Sequence, residues 1–111
     1  MTFTKGIGTA KYMAPEILNR ERYKYPADVY SFAITMLEIM IWGDAFPKEE
    51  FKFPWDIADF ICDGKRPSLI EKVYNDVMKK LIQNSWCHDP SERLTIDDIV
   101  SLLETILQET K

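Results

Sequence analysis

The sequence predicts a mostly α fold built around one buried central helix, and three features of its 111 residues carry that expectation. Apolar residues recur at helical spacing in several separate stretches, β-alternation never persists beyond a few residues, and one helical stretch is apolar on nearly every face.

Residues 1–26, with Gly6, Gly8, Pro15 and Pro26 and no sustained period, read as irregular except for a short helix over 15–19, since proline suits a first helical turn. After Pro26, Val29, Phe32, Ala33, Met36, Leu37, Met40 and Ile41 keep helical spacing, while Tyr30, Ile34 and Ile39 make the other faces apolar too. A helix of that kind, here residues 27–42, is a buried one, and Gly43-Asp44 is expected to close it. Residues 45–53, with Pro47 and the pair Glu49-Glu50, form a loop. The next helix spans 54–62, with Trp55, Ala58, Ile61 and Cys62 on one face and Gly64 as its stop. Lys65-Arg66-Pro67 then imposes an extended link. Val73, Tyr74, Val77, Met78, Leu81, Ile82 and Trp86 make the clearest amphipathic stripe, started by Ser68 or Asn75 and ended near Asp89-Pro90. The last helix opens on the capping-box spacing Thr95-x-x-Asp98 and carries Ile96, Ile99, Val100, Leu103, Ile106 and Leu107.

Composition narrows the function. With 14 Lys+Arg against 18 Asp+Glu and a formal net charge of −4, the chain lacks the broad basic surface that phosphate-backbone binding requires, so nucleic acid is not an expected partner. The longest apolar run, Ile39-Met40-Ile41-Trp42, is far below a membrane span of about 20 residues, so no membrane is expected. The first residues carry no secretory signal pattern, which favours a cytoplasmic setting. Cys62 and Cys87 lack Cys-x-x-Cys spacing and His88 is the only histidine, so neither a disulfide scaffold nor a metal site is expected. Gly6-Ile7-Gly8 follows no strand and opens no helix, which leaves turn glycines rather than a phosphate loop. Asp59-Phe60-Ile61 has isoleucine where a metal-binding Asp-Phe-Gly has glycine, and its spacing belongs to an ordinary helix. The adjacent pairs Glu49-Glu50 and Asp97-Asp98 diverge and make no acid/base site. The first is a solvated loop, and the second sits where negative charge meets a helix dipole.

One constellation is specific. Gly8-Thr9-Ala10-Lys11-Tyr12-Met13-Ala14-Pro15-Glu16-Ile17-Leu18 resembles the end of a protein-kinase activation segment, which closes on Ala-Pro-Glu. Asp28-Val29-Tyr30-Ser31-Phe32-Ala33 resembles the start of the central helix of the kinase C-terminal lobe, and Trp86-Cys87-His88-Asp89-Pro90-Ser91-Glu92-Arg93 the pattern between that lobe's last two helices. Gly64-Lys65-Arg66-Pro67 falls between them, and an unrelated all-α scaffold leaves this order unexplained. The resemblance covers essentially the whole chain and implies residues 1–26 as the end of the activation segment with its short helix, and 27–111 as the helical sub-domain.

The resemblance also implies roles. Glu16 would pair with Arg93, where two unrelated surface charges are the plain alternative. Asp28 would accept hydrogen bonds from the catalytic loop, a role compatible with capping its own helix. Gly8, Thr9 and Tyr12 would line the substrate side, in a pattern closer to serine/threonine or tyrosine-kinase-like enzymes than to true tyrosine kinases. Thr2 and Thr4 fall where activation-loop phosphorylation occurs, or form a frayed polar terminus. Ala33 stands where the family usually has glycine, Ser85 where this group often has cysteine, and Leu94 where proline commonly follows the arginine; each is a small packing change.

No glycine-rich loop, strand lysine with its helix glutamate, His-Arg-Asp or Asp-Phe-Gly occurs in these residues, and those parts hold ATP and magnesium and accept the hydroxyl proton. The implied activity therefore belongs to a longer parent, a transfer of the ATP γ-phosphoryl group to protein serine or threonine, with tyrosine as the alternative acceptor, and no catalytic residue and no cofactor is assigned within these residues. Met1-Thr2 occurs naturally within such loops, so a cut or mis-started chain is expected. The alternative function is a free-standing, non-catalytic interaction module. Expected partners are the protein substrate or the missing N-terminal half of the kinase domain. Self-association, including a dimer that exchanges the N-terminal segment, follows if Val29, Phe32, Met36, Ile39 and Met40 lose the surface that would cover them.

Overall fold

A computed structural model describes residues 11–19 and 25–109. In chain order the helices are α1 (Pro15–Leu18), α2 (Tyr25–Ile41), α3 (Pro54–Cys62), α4 (Asp76–Ser85) and α5 (Ile96–Glu109), with 3-10 turns over Ser68–Lys72 and Pro90–Glu92. No strand occurs among the described residues. Helix α2 is the hub: it packs on α4 and on both 3-10 turns, α4 packs on α5, and α1 packs on α3.

Helix α2 is buried along one side only. Ala27, Val29, Tyr30, Ala33, Ile34 and Leu37 enter the core, whereas Ile39 and Met40 are exposed. The expectation of an all-round buried helix is corrected to that extent. So is the patch expected to contain Val29, which lies in the core, with Phe32 and Met36 half-covered. The end of α2 also departs from the sequence reading. Trp42, not Gly43, takes the left-handed conformation at φ 54°. Its N–H reaches the Ile39 carbonyl at 3.3 Å and the Gly43 N–H reaches that of Glu38 at 3.2 Å, the paired bonds of a Schellman cap.

The same cap ends α3 with the residue chemistry favours. Gly64 at φ 88° donates to the Ile61 carbonyl (3.0 Å), and Lys65 donates to that of Phe60 (3.1 Å). At its start, Asp56 accepts the Phe53 N–H at 3.0 Å. The buried face of α3 runs through Ile57 and Ile61, four residues apart, and Trp55 lies off it at 60% exposure. Two residues turn a helix by about 200°, so Trp55 and Ile57 point to opposite sides and the expected grouping of Trp55 with Ile61 is corrected.

Asn75, not Ser68, opens α4: its side chain accepts the Met78 N–H at 2.9 Å. Ser68 instead begins a separate 3-10 turn, so Val73 is buried ahead of the helix while Tyr74 projects into solvent. Helix α4 ends at Ser85 with Trp86 following it, earlier than Asp89-Pro90. The Thr95/Asp98 capping box forms as expected, with reciprocal bonds of 3.1 Å from Thr95 N–H to Asp98 and from Asp98 N–H to Thr95 Oγ1. On α5 only Ile99 is fully buried, and Ile96, Val100 and Leu107 are exposed.

Candidate functional site

Arginine is almost never fully buried unless it is paired, so Arg93, whose side chain is entirely covered, must have partners in the fold. Sequence places it just after the 3-10 turn Pro90–Glu92. Asp89 braces that turn by accepting the Ser91 N–H (2.9 Å) and hydroxyl (2.8 Å). Arg93 then meets Glu16 of α1 in a two-pronged pair, with Nη1 on Oε2 and Nη2 on Oε1, both at 2.7 Å. Its remaining donors also find acceptors: Nη1 reaches the Pro26 carbonyl at 2.8 Å and Nε that of Cys87 at 2.8 Å. One side chain thus joins α1, the start of α2 and the α4–α5 connection. Burial opposes ionisation of Glu16, but the Arg93 hydrogen bonds and charge outweigh it and hold the carboxyl below its ordinary value.

The guanidinium of Arg93 also lies 5.3 Å from the centre of the Tyr30 ring, and that of Arg66 lies 5.2 Å from it. Two cations against one aromatic ring favour its electron-rich face. Arg66 donates to the carbonyls of Trp86 (2.9 Å), Ile61 (3.2 Å) and Lys65 (2.7 Å), so it holds the extended link before Pro67 against α3 and the end of α4. Burial pushes the Tyr30 phenol well above its usual range despite both arginines.

A second polar cluster fixes the residues before Ala14-Pro15-Glu16. The Tyr12 hydroxyl donates to Glu38 Oε1 on α2, and the Ser31 hydroxyl donates to the Tyr12 carbonyl at 2.6 Å. Lys11 bridges Glu38 at 3.3 Å and Asp44 at 3.0 Å. Glu38 further accepts the Ala45 N–H, and Asp44 that of Phe46. The hydrogen bond to Glu38 raises the Tyr12 phenol above its ordinary value. Burial opposes the charge on Lys11, yet its bonds to Asp44 and Glu38 raise its ammonium overall.

Among the sequence-derived candidates the structure brings Glu16 and Arg93 together and sets Tyr12 on α2. Asp28 sits exposed in the first turn of α2, and its carboxylate accepts no hydrogen bond from another described residue. Gly8, Thr9, Thr2 and Thr4 lie outside the described residues. Sequence reasoning missed Lys11, Ser31, Glu38 and Asp44, and missed Arg66 beside Tyr30. One signal was present: Glu38 is the lone charge between Asp28 and Asp44, and a carboxylate in so apolar a helix requires a donor.

The arrangement braces and positions the elements it joins. Among the described residues no group of three or more histidine, cysteine, aspartate or glutamate side chains is placed to hold a metal ion.

Residues 2–103 match the family model described as protein tyrosine and serine/threonine kinase. The chain is 33% identical to the dual specificity protein kinase shkE of Dictyostelium discoideum over 93% of its length, and 33% identical to the serine/threonine-protein kinase VIK of Arabidopsis thaliana over 89%. It is 38% identical over 94% of its length to the probable serine/threonine-protein kinase gdt4 of Dictyostelium discoideum. It spans 14%, 22% and 6% of these relatives, respectively. A match running from residue 2 to residue 103 takes in α1 to α4, the first part of α5 and both members of the Glu16–Arg93 pair, and the chain therefore belongs to the protein tyrosine and serine/threonine kinase family.

Proposed function

We propose that these residues are the substrate-side scaffold of a protein kinase, whose full-length parent transfers the ATP γ-phosphoryl group to protein serine or threonine hydroxyls. The observation that carries the reading is the buried Glu16–Arg93 pair, which anchors Ala14-Pro15-Glu16 to the α4–α5 connection and to Tyr30. Kinase catalysis is largely positioning and electrostatics, so a segment that receives the substrate must be held rigidly. The Tyr12, Ser31, Lys11 and Glu38 cluster supplies that rigidity immediately ahead of Pro15, and Gly8, Thr9 and Tyr12 are the residues we assign to the substrate side. ATP and magnesium belong to the parts that precede this scaffold in the family, and no residue here is assigned to either.

Isothermal titration of the 111-residue chain with millimolar Mg-ATP is expected to show no saturable heat; stoichiometric binding would overturn the claim of catalytic incompleteness. Joining the chain to the preceding kinase residues of one of its relatives tests the scaffold role. The chimera is expected to label serine and threonine in a mixed peptide library, and Glu16→Ala to abolish the labelling. A folded chimera that labels only tyrosine would reverse the specificity assignment.

A further inference from the structure

One surface of the molecule lies apart from both bracing clusters. An open groove of about 680 Å³ lies between the loop after α2 and helix α3. Its floor includes Phe51 and Phe60, packed edge to face at 5.0 Å. On its rim Phe53 and Trp55 stack in parallel, 4.6 Å apart with planes 7° from coincident, although 49% and 60% of their surfaces face solvent. Apolar area of that size left in water forfeits its burial energy, which marks it as a contact surface.

Charge identifies the occupant. Four carboxylates, Glu50, Asp56, Asp59 and Asp63, line the groove against the two ammonium groups of Lys52 and Lys65. Asp56 is engaged by the Phe53 N–H, and Asp63 by Lys65 at 3.6 Å. The carboxylates of Glu50 and Asp59 accept no hydrogen bond and form no ion pair among the described residues, their backbones alone being bonded, to Pro47 and Asp63. Asp59 is exposed one helical turn beyond Trp55, so a carboxylate and an aromatic face are offered side by side. An arginine side chain satisfies both, its planar guanidinium stacking on the ring while its N–H groups reach the carboxylate. We propose that this groove docks an arginine-bearing segment of a partner protein. It shares no residue with the proposed substrate side at Gly8, Thr9 and Tyr12 and does not depend on phosphoryl transfer.

The test is fluorescence anisotropy of a labelled nine-residue peptide with a central Arg-Ala-Arg, titrated with the 111-residue chain at low salt. Saturable binding is expected, weakened about five-fold or more by Trp55→Ala and by Asp59→Lys, in line with the loss of one exposed cation–π contact or one charge pair. Both positions are exposed, and unchanged circular dichroism would confirm that each variant folds. Glu104→Lys, an equal charge change on the exposed side of α5, is expected to leave binding within two-fold; equal weakening there would mean attraction to net charge alone and overturn the proposal. So would a Glu-Ala-Glu peptide that binds as well, indifference to both groove substitutions, or free arginine binding as tightly as the peptide, which would assign the groove to a small cation.

Discussion

Arg93 and Glu16 are separated by most of the chain, yet they make the shortest ion pair among the described residues. Removing either side chain leaves the other charge stranded, Arg93 without any exposed surface, so Glu16→Ala and Arg93→Ala are each expected to cost about 3–5 kcal/mol. Urea unfolding of the single and double variants measures the coupling, and additive losses would show that the pair contributes nothing as a pair. The pH dependence has a definite sign. Glu16 has a lowered carboxyl in the folded chain, so its contribution is present above its ordinary value of 4.5 and is lost as the pH falls through the folded-state value. Glu16→Gln is expected to flatten the acid limb of the stability profile between those limits. Asp44, also lowered, keeps part of that limb in place. At this scale the sequence named the pair only through the kinase resemblance, because no periodicity links residues so far apart. The Lys11–Glu38–Asp44 contacts went unread for the same reason, since long-range side-chain geometry is set by how helices pack.

Element boundaries were legible where local chemistry decides them. Pro15 and Pro54 open α1 and α3, Thr95-x-x-Asp98 opens α5, and Gly64 ends α3, each through a preference that acts within a few residues. The end of α2 was misread because Gly43 looked like the natural stop, whereas the chain turns one residue earlier and places Trp42 in the left-handed region. A side chain there costs about 1–2 kcal/mol, and at 92% exposure the indole gains little packing in return. Trp42→Gly is therefore expected to stabilise the chain by about 0.5–1 kcal/mol, after the greater flexibility of glycine in the unfolded chain is counted. Gly64→Ala makes the converse test. An added methyl meets nothing within 4 Å, so its expected loss of about 1 kcal/mol is backbone strain alone. Thermal melts of the two variants should move in opposite directions; a shared direction would show that the caps are not equivalent.

For the molecule as a whole, the fold class was legible because period and composition act everywhere at once, but which side of α2 meets the core was not. An apolar residue on a helix predicts burial without naming its partner. Tyr25, Phe32 and Ile39 recur every seven residues along α2, and the first and last are 82% and 56% exposed. Val29, four residues after Tyr25, is buried in the core. A repeat of that period on one helix suits a helical partner, and a second copy of the chain is the partner always at hand. Light scattering is expected to show mass rising toward a dimer across the micromolar range, and Ile39→Lys to restore the monomer. A monomer mass for the unaltered chain at high micromolar concentration would remove this expectation.

The three tryptophans occupy opposite extremes of this architecture, and that division makes the protein its own optical probe. Trp86, 6% exposed, follows α4 and lends its carbonyl to Arg66, whereas Trp42 and Trp55 stand in solvent. Emission from the unaltered chain should therefore be a mixture, dominated at long wavelength by indoles that acrylamide quenches readily. Replacing Trp42 and Trp55 with phenylalanine should leave a single blue-shifted, poorly quenched emitter. Its red shift would then report loosening of the link that Arg66 ties, and in a chain with Trp42 and Trp86 both replaced by phenylalanine the remaining Trp55 signal would report occupation of the groove beside α3.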